Sequence, residues 1–388
     1  MPKVRILIFL VTIGIVASLA LFASYYARGY KLNLKTFKFT PNGILVVNSE
    51  PNGAQIYLNN QLKTATSATL SVAPGAYTIQ IKKDGFLTWE KQMEVQKEVV
   101  TQIDAVLFPA APSLSALTFS GVASPVVSPS TTKIAYAVPG TKDTIEKTGL
   151  WITEVATFPI GFNREPKRIT DGDLTNATWV WSPDEREILL TIDKLTYLLD
   201  TSEFTPQIER LNVSNQLDLI HARWKEIENK KLSAQLTNLP DELESIFSKN
   251  ADTIIFSPDE YKILYTASES ASLPVGLIKE LPGASTQKQT RAIKPGMKYV
   301  YDIKEDRNFE IATKDDITYW LPTSRHLIIP QKDKIVIVEY DGTNKQTVYS
   351  GSYIYPHAYP YSNAGKMLIL TNLGATDSLP NLYSLNLK

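Results

Sequence analysis

The chain has 388 residues, and its 40 lysines and arginines balance 40 aspartates and glutamates, so its formal net charge is zero. It contains no cysteine and only 3 histidines. Cysteine-ligated metal sites, thiol catalysis and disulfide bonds are therefore excluded, and we expect no nucleic-acid partner because no local basic stripe is present. The length and the 43% hydrophobic content indicate a globular protein of two or three domains.

Residues 1–30 are predicted to form a signal anchor. Lys3 and Arg5 precede an uncharged stretch, Ile6–Ala27, whose apolar part is long enough to cross a bilayer. Basic residues flank both ends, but the N-terminal tail is short, so we expect a cytoplasmic N-terminus, a single pass through the cell membrane and an extracytoplasmic bulk. The alternative is a cleaved secretory signal, since Ser18-Leu19-Ala20 satisfies a small-x-small cleavage pattern.

Residues 43–109 alternate short strands with turn residues. Turns are predicted at Pro51-Asn52-Gly53, Asn59-Asn60, Pro74-Gly75 and Asp84-Gly85. Between them apolar and polar residues alternate with period two, as in the strand that contains Tyr77, Ile79 and Ile81. The pattern predicts a small antiparallel β-sandwich with one buried face.

This stretch resembles the PEGA domain of prokaryotic surface proteins. The resemblance is carried by the order V-x-S-x-P-x-G-A, then P-G-x-Y-x-I, then G-[FY]-x-x-W, with Asn52 in place of the glutamate of the naming motif. The resemblance implies a noncatalytic spacer or adhesion module on the cell surface, with no active-site residues.

A recurring phrase organises the rest of the chain, residues 115–388. Ser128-Pro129-Ser130, Ser182-Pro183-Asp184 and Ser257-Pro258-Asp259 each precede an apolar run, and weaker copies occur near Pro322 and Pro360. Proline presets the turn and the hydroxyl or carboxylate caps it, so each phrase predicts the corner of a β-hairpin. Together the copies predict a repeated, all-β architecture.

Two irregularities in the spacing of the phrase have local explanations. Apolar residues that recur with the period of an α-helix, and acidic residues at the start of a second helix, predict a short helical insertion at about 214–250. A blade that lacks the phrase is expected around Arg291–Ile311, which brings the total to six blades of a β-propeller. Two stacked β-sandwiches are the alternative fold.

The S-P-D-x-x-x-I-L-Y phrase resembles TolB-like β-propellers. This resemblance implies radial four-stranded blades whose loops and central channel bind peptides or other proteins. The fold class is thus predicted as all-β: an N-terminal transmembrane helix, a PEGA-type β-sandwich and a six-bladed propeller with a helical insertion.

Signatures of catalysis are missing from the sequence, which contains no H-E-x-x-H, G-x-S-x-G, P-loop or G-x-G-x-x-G pattern. We therefore predict no catalytic residues, no metal site and no cofactor. His221 and His326 are interpreted as structural. The carboxylate pairs Asp315-Asp316, Glu305-Asp306 and Asp171-Gly172-Asp173 are interpreted as parts of solvated turns.

The strongest candidate for binding is a row of aromatic residues with period two: Tyr353, Tyr355, His357, Tyr359 and Tyr361. In an extended segment these side chains would share one face, where they could stack on sugars or grip a proline-rich peptide. The competing interpretation is that they fill contacts between blades, and Pro356 and Pro360 favour an edge or a loop.

The favoured function is a membrane-anchored cell-surface protein whose PEGA spacer presents a noncatalytic propeller to a protein, peptide or envelope glycan. A cell-envelope hydrolase or lyase with its site in the propeller channel is one alternative. A purely structural spacer is another.

Overall fold

The computed structural model describes residues 2–27, 30–33, 38–40, 42–142, 144–155, 165–279, 281, 283–375 and 378–388. These residues divide into two compact units. The first comprises Met1–Leu107 with Lys279–Lys288, and the second comprises Phe108–Ile278 with Gln289–Lys388.

The first unit begins with a long apolar helix, α1 (Pro2–Ala27). Its segment Leu7–Tyr25 has 19 residues and a mean hydropathy of 2.5, and none of it is buried. A short antiparallel pair, β1 (Lys31–Asn33) and β2 (Lys38–Thr40), follows. The prediction of an N-terminal apolar helix is confirmed, and its length and composition suit either a signal anchor or a signal peptide.

The remainder of the first unit is a β-sandwich built from a three-stranded and a four-stranded sheet. The strands are β3 (Gly43–Glu50), β4 (Gln55–Leu58), β5 (Gln61–Ala65), β6 (Ala68–Val72), β7 (Gly75–Lys82), β8 (Trp89–Val95) and β9 (Val100–Val106). The sheet orders are β6-β3-β9 and β5-β4-β7-β8. Alternate residues of both sheets, among them Leu45, Ile56, Ile79 and Ile103, share one buried core, as the period-two pattern predicts.

One strand pair departs from the predicted antiparallel arrangement. Strands β3 and β9 pair in parallel, with Ile44 opposite Val100 and Glu50 opposite Val106. A parallel pair needs a long crossover connection, and the intervening strands β4–β8 supply it. The predicted turn at Asn59-Asn60 is present, with φ values of 48° and 64° that place both residues in the left-handed region.

The second unit contains five four-stranded sheets in its described residues. Their strands are β10 (Leu114–Ala116), β11 (Ala123–Val127), β12 (Lys133–Val138), β13 (Gly149–Glu154), β14 (Lys167–Asp171), β15 (Ala177–Trp181), β16 (Glu187–Ile192), β17 (Leu195–Asp200), β18 (Leu211–Asn212), β19 (Ala251–Phe256), β20 (Lys262–Ala267), β23 (Met297–Asp302), β24 (Arg307–Thr313), β25 (Tyr319–Trp320), β26 (His326–Pro330), β27 (Ile335–Glu339), β28 (Gln346–Tyr349), β29 (Ala358–Pro360), β30 (Lys366–Thr371) and β31 (Asn381–Asn386). A separate two-stranded sheet joins β21 (Ala271–Ser272) and β22 (Ala292–Ile293).

The five sheets are the blades of a propeller. In chain order they are blade 1 (β11-β12-β13-β14), blade 2 (β15-β16-β17-β18), blade 3 (β19-β20-β23-β24), blade 4 (β25-β26-β27-β28) and blade 5 (β29-β30-β31-β10). Strand β10 comes from the start of the unit and pairs with the last strand, β31. This pairing closes the ring, because the two ends of the unit share one sheet.

The recurring phrase forms the turn between the first two strands of a blade. In blade 2 the Ser182 hydroxyl donates to Asp184 at 2.7 Å, and the Glu187 amide donates back to Ser182 at 2.9 Å. The residue three places after the serine or its equivalent lies in the left-handed region in four blades, with φ between 55° and 62° at Thr131, Glu185, Glu260 and Ser324. The predicted hairpin corner is therefore confirmed, and four of the five copies form the same turn.

Helices α2 (Leu217–Leu236) and α3 (Asp241–Asn250) lie between blades 2 and 3 in the chain. Ile220 and Trp224 of α2 pack with Leu189 on the face of blade 2 opposite to blade 1. Further along, α2 and α3 cover the face of blade 3 opposite to blade 4, where Phe247 is fully buried against Tyr265 and Tyr301. The helix pair is thus a layer that covers one face of blade 2 and one face of blade 3.

The predicted count of six blades is wrong for the residues that the structure describes. The expected blade around Arg291–Ile311 is in fact the second half of blade 3, because β23 pairs with β20. The long connection from Ser268 to Gly296 separates β20 from β23 in the sequence. The spacing of the turn phrases therefore suggested two blades where the structure has one.

Candidate functional site

The propeller has two faces, and its two longest connections, 213–250 and 268–296, begin and end at one of them. In an antiparallel meander the connections between strands two and three and those between successive blades start at the same end of the sheets. We call this end the loop face. Its connections are 117–122, 139–148, 172–176, 193–194, 213–250, 268–296, 314–318, 331–334, 350–357 and 372–380.

The predicted aromatic row begins at the loop face, in the connection that enters blade 5, and continues through β29 into the turn after it. The structure does not place its five side chains on one surface, because the chain turns at Ile354–His357, where the His357 amide donates to the Ile354 carbonyl at 2.9 Å. Tyr353 lies before this turn, and its hydroxyl donates to the carbonyl of Gln331. Tyr355 is at the tip of the turn and is 40% exposed.

The last two members of the row are buried between blades. Tyr359 and Tyr361 belong to the apolar core that joins blade 5 to Ile134 and Tyr136 of blade 1. The common face expected for an extended segment is therefore wrong, because the turn at Pro356 separates the exposed Tyr355 from the buried residues. Burial raises the pKa of both tyrosines, so they stay neutral phenols near neutral pH.

His357 connects the exposed and the buried parts of the row. Its Nδ1 lies 2.6 Å from the Tyr359 hydroxyl, which in turn donates to the Pro125 carbonyl at 2.8 Å. Burial lowers the pKa of His357, because the charged imidazolium would lose its hydration. His357 is thus a neutral link in a hydrogen-bonded chain.

A second set of exposed side chains was not recognised in the sequence. Phe119 is 83% exposed, Ile145 70% and Leu373 57%. They lie in loop-face connections of blades 1 and 5, the two blades that share a core with Tyr359. With Tyr355 they form what we call the apolar loop surface: Phe119, Ile145, Tyr355 and Leu373.

Sequence reasoning missed these residues because single large apolar residues in turns carry no periodicity. One local signal was available. Phe119 is followed closely by Gly121, and Leu373 directly by Gly374, so each apolar side chain sits in a glycine-containing turn where it cannot belong to a strand pattern. A contiguous exposed apolar patch marks a contact site, whereas apolar residues exposed singly are ordinary on a protein surface.

The other histidines have structural surroundings. His326 is 3% exposed, its Nδ1 lies 3.0 Å from the Thr323 hydroxyl, and its ring contacts Phe108 edge-on. His221 is exposed on α2 beside the ring of Trp224. These contacts are consistent with the interpretation of His221 and His326 as structural residues.

The carboxylates singled out in the sequence hold local hydrogen bonds. Asp316 accepts from the Thr313 amide at 2.9 Å, and Asp173 accepts from the Thr175 amide at 3.0 Å. Hydrogen bonds from the hydroxyl and amide of Thr175 lower the pKa of Asp173 below its usual value. Among the described residues, no group of three or more His, Asp or Glu side chains is arranged to hold a metal ion.

Asp306 is the exception to the solvated-turn interpretation, because it is 2% exposed. Its Oδ1 accepts from Arg291 at 2.8 Å and from the Tyr301 hydroxyl at 2.7 Å, and its Oδ2 accepts from the Gly276 amide at 3.1 Å. Burial opposes ionisation, but these hydrogen bonds and the Arg291 charge outweigh it and lower the pKa of Asp306. The turn that was predicted to be solvated therefore contains an internal ion pair.

The family comparison identifies the β-sandwich. A family model for the PEGA domain matches residues 42–110, the stretch that includes both sheets of the sandwich. Residues 42–110 form a PEGA domain. The resemblance carried by Pro51, Gly53 and Trp89 is thereby confirmed, and the PEGA core is the buried cluster that contains Trp89.

Solved structures similar to the chain include TolB from Acinetobacter baumannii, at 13% identity over 80% of this chain with a TM-score of 0.24. A second is a putative TolB from Agrobacterium tumefaciens, at 14% identity over 70% of this chain and 74% of that chain, with a TM-score of 0.22. A third is the β-propeller domain of the Trilobed protease from Pyrococcus furiosus, at 14% identity over 89% of this chain and 83% of that chain, with a TM-score of 0.18.

The chain spans 59% of the length of the Acinetobacter TolB. At these TM-scores the similarity adds no argument about function, and the propeller architecture of this chain rests on its own sheets and their closure. No curated protein sequence matches the chain.

Proposed function

We propose that the protein is anchored in the cell membrane by α1, and that its PEGA domain presents a noncatalytic propeller to a partner outside the cytoplasm. The observation that carries the proposal is the combination of an N-terminal apolar helix with a PEGA domain, a module of prokaryotic surface proteins. The propeller would supply binding, because its two longest connections, 213–250 and 268–296, lie at one face.

The apolar loop surface is the proposed contact site. Its side chains come from connections of adjacent blades, so a rigid scaffold positions them. Phe119, Ile145 and Leu373 offer apolar contact area, while Tyr355 adds a hydroxyl at the edge of an aromatic ring. Two aliphatic side chains among four favour a protein or peptide over a glycan, because sugars stack on flat aromatic rings.

Site-specific photocrosslinking in intact cells tests the contact site. A photoreactive residue replaces Tyr355 in one variant and Tyr261 in a matched control, since the two tyrosines are 40% and 44% exposed but lie at opposite faces of the propeller. We expect a reproducible protein adduct from position 355 and none from position 261. Equal adducts from both positions, or none from either, would contradict the proposed site, and the second result would favour a structural spacer.

The absence of cysteine allows a direct test of topology. Asp252 is exposed on β19, so an Asp252→Cys variant carries a single accessible thiol. We expect a membrane-impermeant maleimide to label this variant in intact cells, or in cells whose outer barrier alone is opened. Labelling that requires lysis of the inner membrane would place the propeller in the cytoplasm.

The hydrolase or lyase alternative has no specific observation in its favour, since the carboxylates described above hold structural hydrogen bonds. Incubation of the purified full chain with envelope peptides and glycans tests it. Turnover that persists in independently purified preparations would overturn the noncatalytic proposal.

A further inference from the structure

The sequence contains two Asn-Gly dipeptides, Asn42-Gly43 and Asn52-Gly53, and both belong to the PEGA domain. An asparagine that precedes glycine can lose ammonia, because glycine has no side chain to shield the peptide nitrogen that attacks the side-chain amide. The reaction requires this nitrogen to lie close to Cγ of the asparagine and requires access for water. The surroundings of the two dipeptides differ in both respects.

Asn52-Gly53 lies in the exposed turn between β3 and β4. The side chain of Asn52 folds back on its own peptide bond, since its Oδ1 accepts from the Gly53 nitrogen at 2.8 Å. A C=O bond is about 1.2 Å long, so Cγ of Asn52 lies within about 4 Å of the same nitrogen. The two atoms that would form the new bond are therefore close in the folded chain.

The Gly53 nitrogen must give up its hydrogen before it can attack. This hydrogen is shared between Oδ1 of Asn52 and the carbonyl of Thr66, whose oxygen lies 3.2 Å from the nitrogen. These bonds hold the nitrogen in place, but a peptide nitrogen is a very weak acid, so removal of its proton is costly. A group that stabilises the resulting anion will accelerate the reaction.

Lys83 is placed to stabilise this anion. Its ammonium donates to the carbonyl oxygen of Asn52 at 2.6 Å, and that oxygen belongs to the same peptide bond as the Gly53 nitrogen. Resonance spreads the negative charge of a deprotonated peptide over its nitrogen and its oxygen. The ammonium therefore offsets part of the charge that forms when the proton leaves. The neighbouring Lys82 lies instead over the ring of Tyr57, with Nζ 4.8 Å from its centroid.

The other dipeptide, Asn42-Gly43, is shielded. Asn42 is 6% exposed, and its Nδ2 donates to the Ser71 hydroxyl at 3.0 Å. The Asn42 carbonyl accepts from the Glu98 amide at 3.0 Å, so its partner is a neutral group. Gly43 is buried as the first residue of β3. Hydroxide and water therefore have little access to this dipeptide.

We propose that Asn52 is a site of spontaneous deamidation and that Lys83 accelerates the reaction. Hydroxide takes the proton of the Gly53 nitrogen, which attacks Cγ of Asn52 and forms an N–Cγ bond. The Cγ–Nδ2 bond breaks, and Nδ2 takes a proton from water and leaves as ammonia, which regenerates hydroxide. Water then opens the succinimide ring, at Cγ to give aspartate or at the backbone carbonyl to give isoaspartate. The balance is one water consumed and one ammonia released.

Both products change the charge of the turn between β3 and β4. A carboxylate replaces the neutral amide of Asn52, and the Lys83 ammonium, which already contacts this turn, can pair with it. Isoaspartate also lengthens the backbone by one carbon between Pro51 and Gly53. The turn therefore alters with the age of the chain, without an enzyme.

Peptide mapping by mass spectrometry, after incubation of the full chain in detergent, tests the proposal. In the folded chain we expect Asn52 to deamidate and Asn42 to stay intact, whereas both should react when the chain is unfolded in urea. The rate at Asn52 should rise about tenfold for each pH unit between about pH 6 and pH 8, because hydroxide removes the proton. Lys83→Met should slow the reaction by at least about threefold, and the matched control Lys82→Met should leave it unchanged.

Three outcomes would overturn the proposal. The first is an Asn52 that stays intact in the folded chain while it reacts in urea, and the second is equal reaction of Asn42 and Asn52 in the folded chain. The third is an equal rate at Asn52 in Lys83→Met and Lys82→Met. Reaction of Asn42 in Lys83→Met would show that this variant has unfolded, and Lys83→Gln is then compared with Lys82→Gln. The first two outcomes decide without any substitution.

Discussion

Replacement of Asp306 by asparagine should destabilise blade 3 by about 3 kcal/mol. Asp306 is 2% exposed and accepts hydrogen bonds from Arg291, Tyr301 and Gly276. Asparagine matches aspartate in size, so the substitution removes charge and one acceptor without creating a cavity. The change therefore isolates electrostatics from packing.

The magnitude follows from which contacts an amide can keep. An amide has one acceptor oxygen, so it can satisfy either the pair formed by Arg291 and Tyr301 or the amide of Gly276, and its NH₂ group then faces a donor. Arg291 keeps the Pro274 carbonyl at 2.9 Å but loses its counter-charge in a site where it is 14% exposed. Breaking a buried ion pair by removing one partner costs about 3–5 kcal/mol, and the remaining acceptors of Arg291 place the expected value at the lower end.

Native-state hydrogen exchange of β23 and β24 measures the local free energy of opening. Asp252→Asn, an exposed position on β19, is the matched control and should change it by less than about 0.5 kcal/mol. The double variant Arg291→Met with Asp306→Asn should cost less than the two single variants added together, because the unpaired charge is gone. A cost below about 1 kcal/mol for Asp306→Asn would show that the pair is open to water and would refute the reasoning.

Three further outcomes are expected. Thr131→Gly should raise the free energy of unfolding by about 1 kcal/mol in urea denaturation, because this β-branched residue has a φ of 60°, whereas the neighbouring Thr132→Gly should lower it. Phe247→Ala should cost about 3–5 kcal/mol in the same assay since Phe247 is fully buried, while Leu219→Ala, which is 72% exposed on the same helical layer, should be nearly neutral. The hydrogen bonds of Asp306 lower the pKa of its carboxyl group, so the carboxylate should stabilise the fold above about pH 4 and lose this contribution below it. In acid titrations of stability, Asp306→Asn should lack this pH dependence.

The sequence predicted those parts of the fold that repeat or alternate. The turn with serine and proline recurs because each blade needs the same corner, and the period-two pattern of the PEGA strands records one buried face. The parallel pairing of β3 with β9 was not predictable in this way, since alternation does not report which strands are neighbours. Pairing is a long-range property that local spacing does not encode.

The blade count failed for a related reason. Tyr299 and Tyr301 alternate as any strand does, and the sequence does not show that Tyr299 lies opposite Tyr265 on β20. A long connection inside a blade and a boundary between blades look alike when only the distance between turn phrases is read. The strands were predicted correctly, but only the three-dimensional structure shows to which sheet each strand belongs.

The candidate site was predicted only in part. The aromatic row drew attention to the connection into blade 5, where Tyr355 is exposed, but the turn at Ile354–His357 places Tyr359 in the core between blades 5 and 1. Phe119 and Leu373 had no pattern to reveal them, because exposure of a single residue in a turn depends on what packs around it. The sequence therefore pointed to one connection of the proposed surface and did not reveal the others.

The helical layer covers the two apolar faces that blades 2 and 3 would otherwise expose. A blade leaves an apolar face on each side, and the sheets on either side must cover it at a spacing of about 10 Å. An α-helix with its side chains is about 10–12 Å across, so α2 and α3 can fill the space of a missing sheet without altering the spacing of their neighbours. The burial of Trp224 against blade 2 and of Phe247 against blade 3 shows that both apolar faces are covered in this way. The helices are therefore part of the propeller ring itself, and the surface that we propose as the contact site lies in the connections of blades 1 and 5 instead.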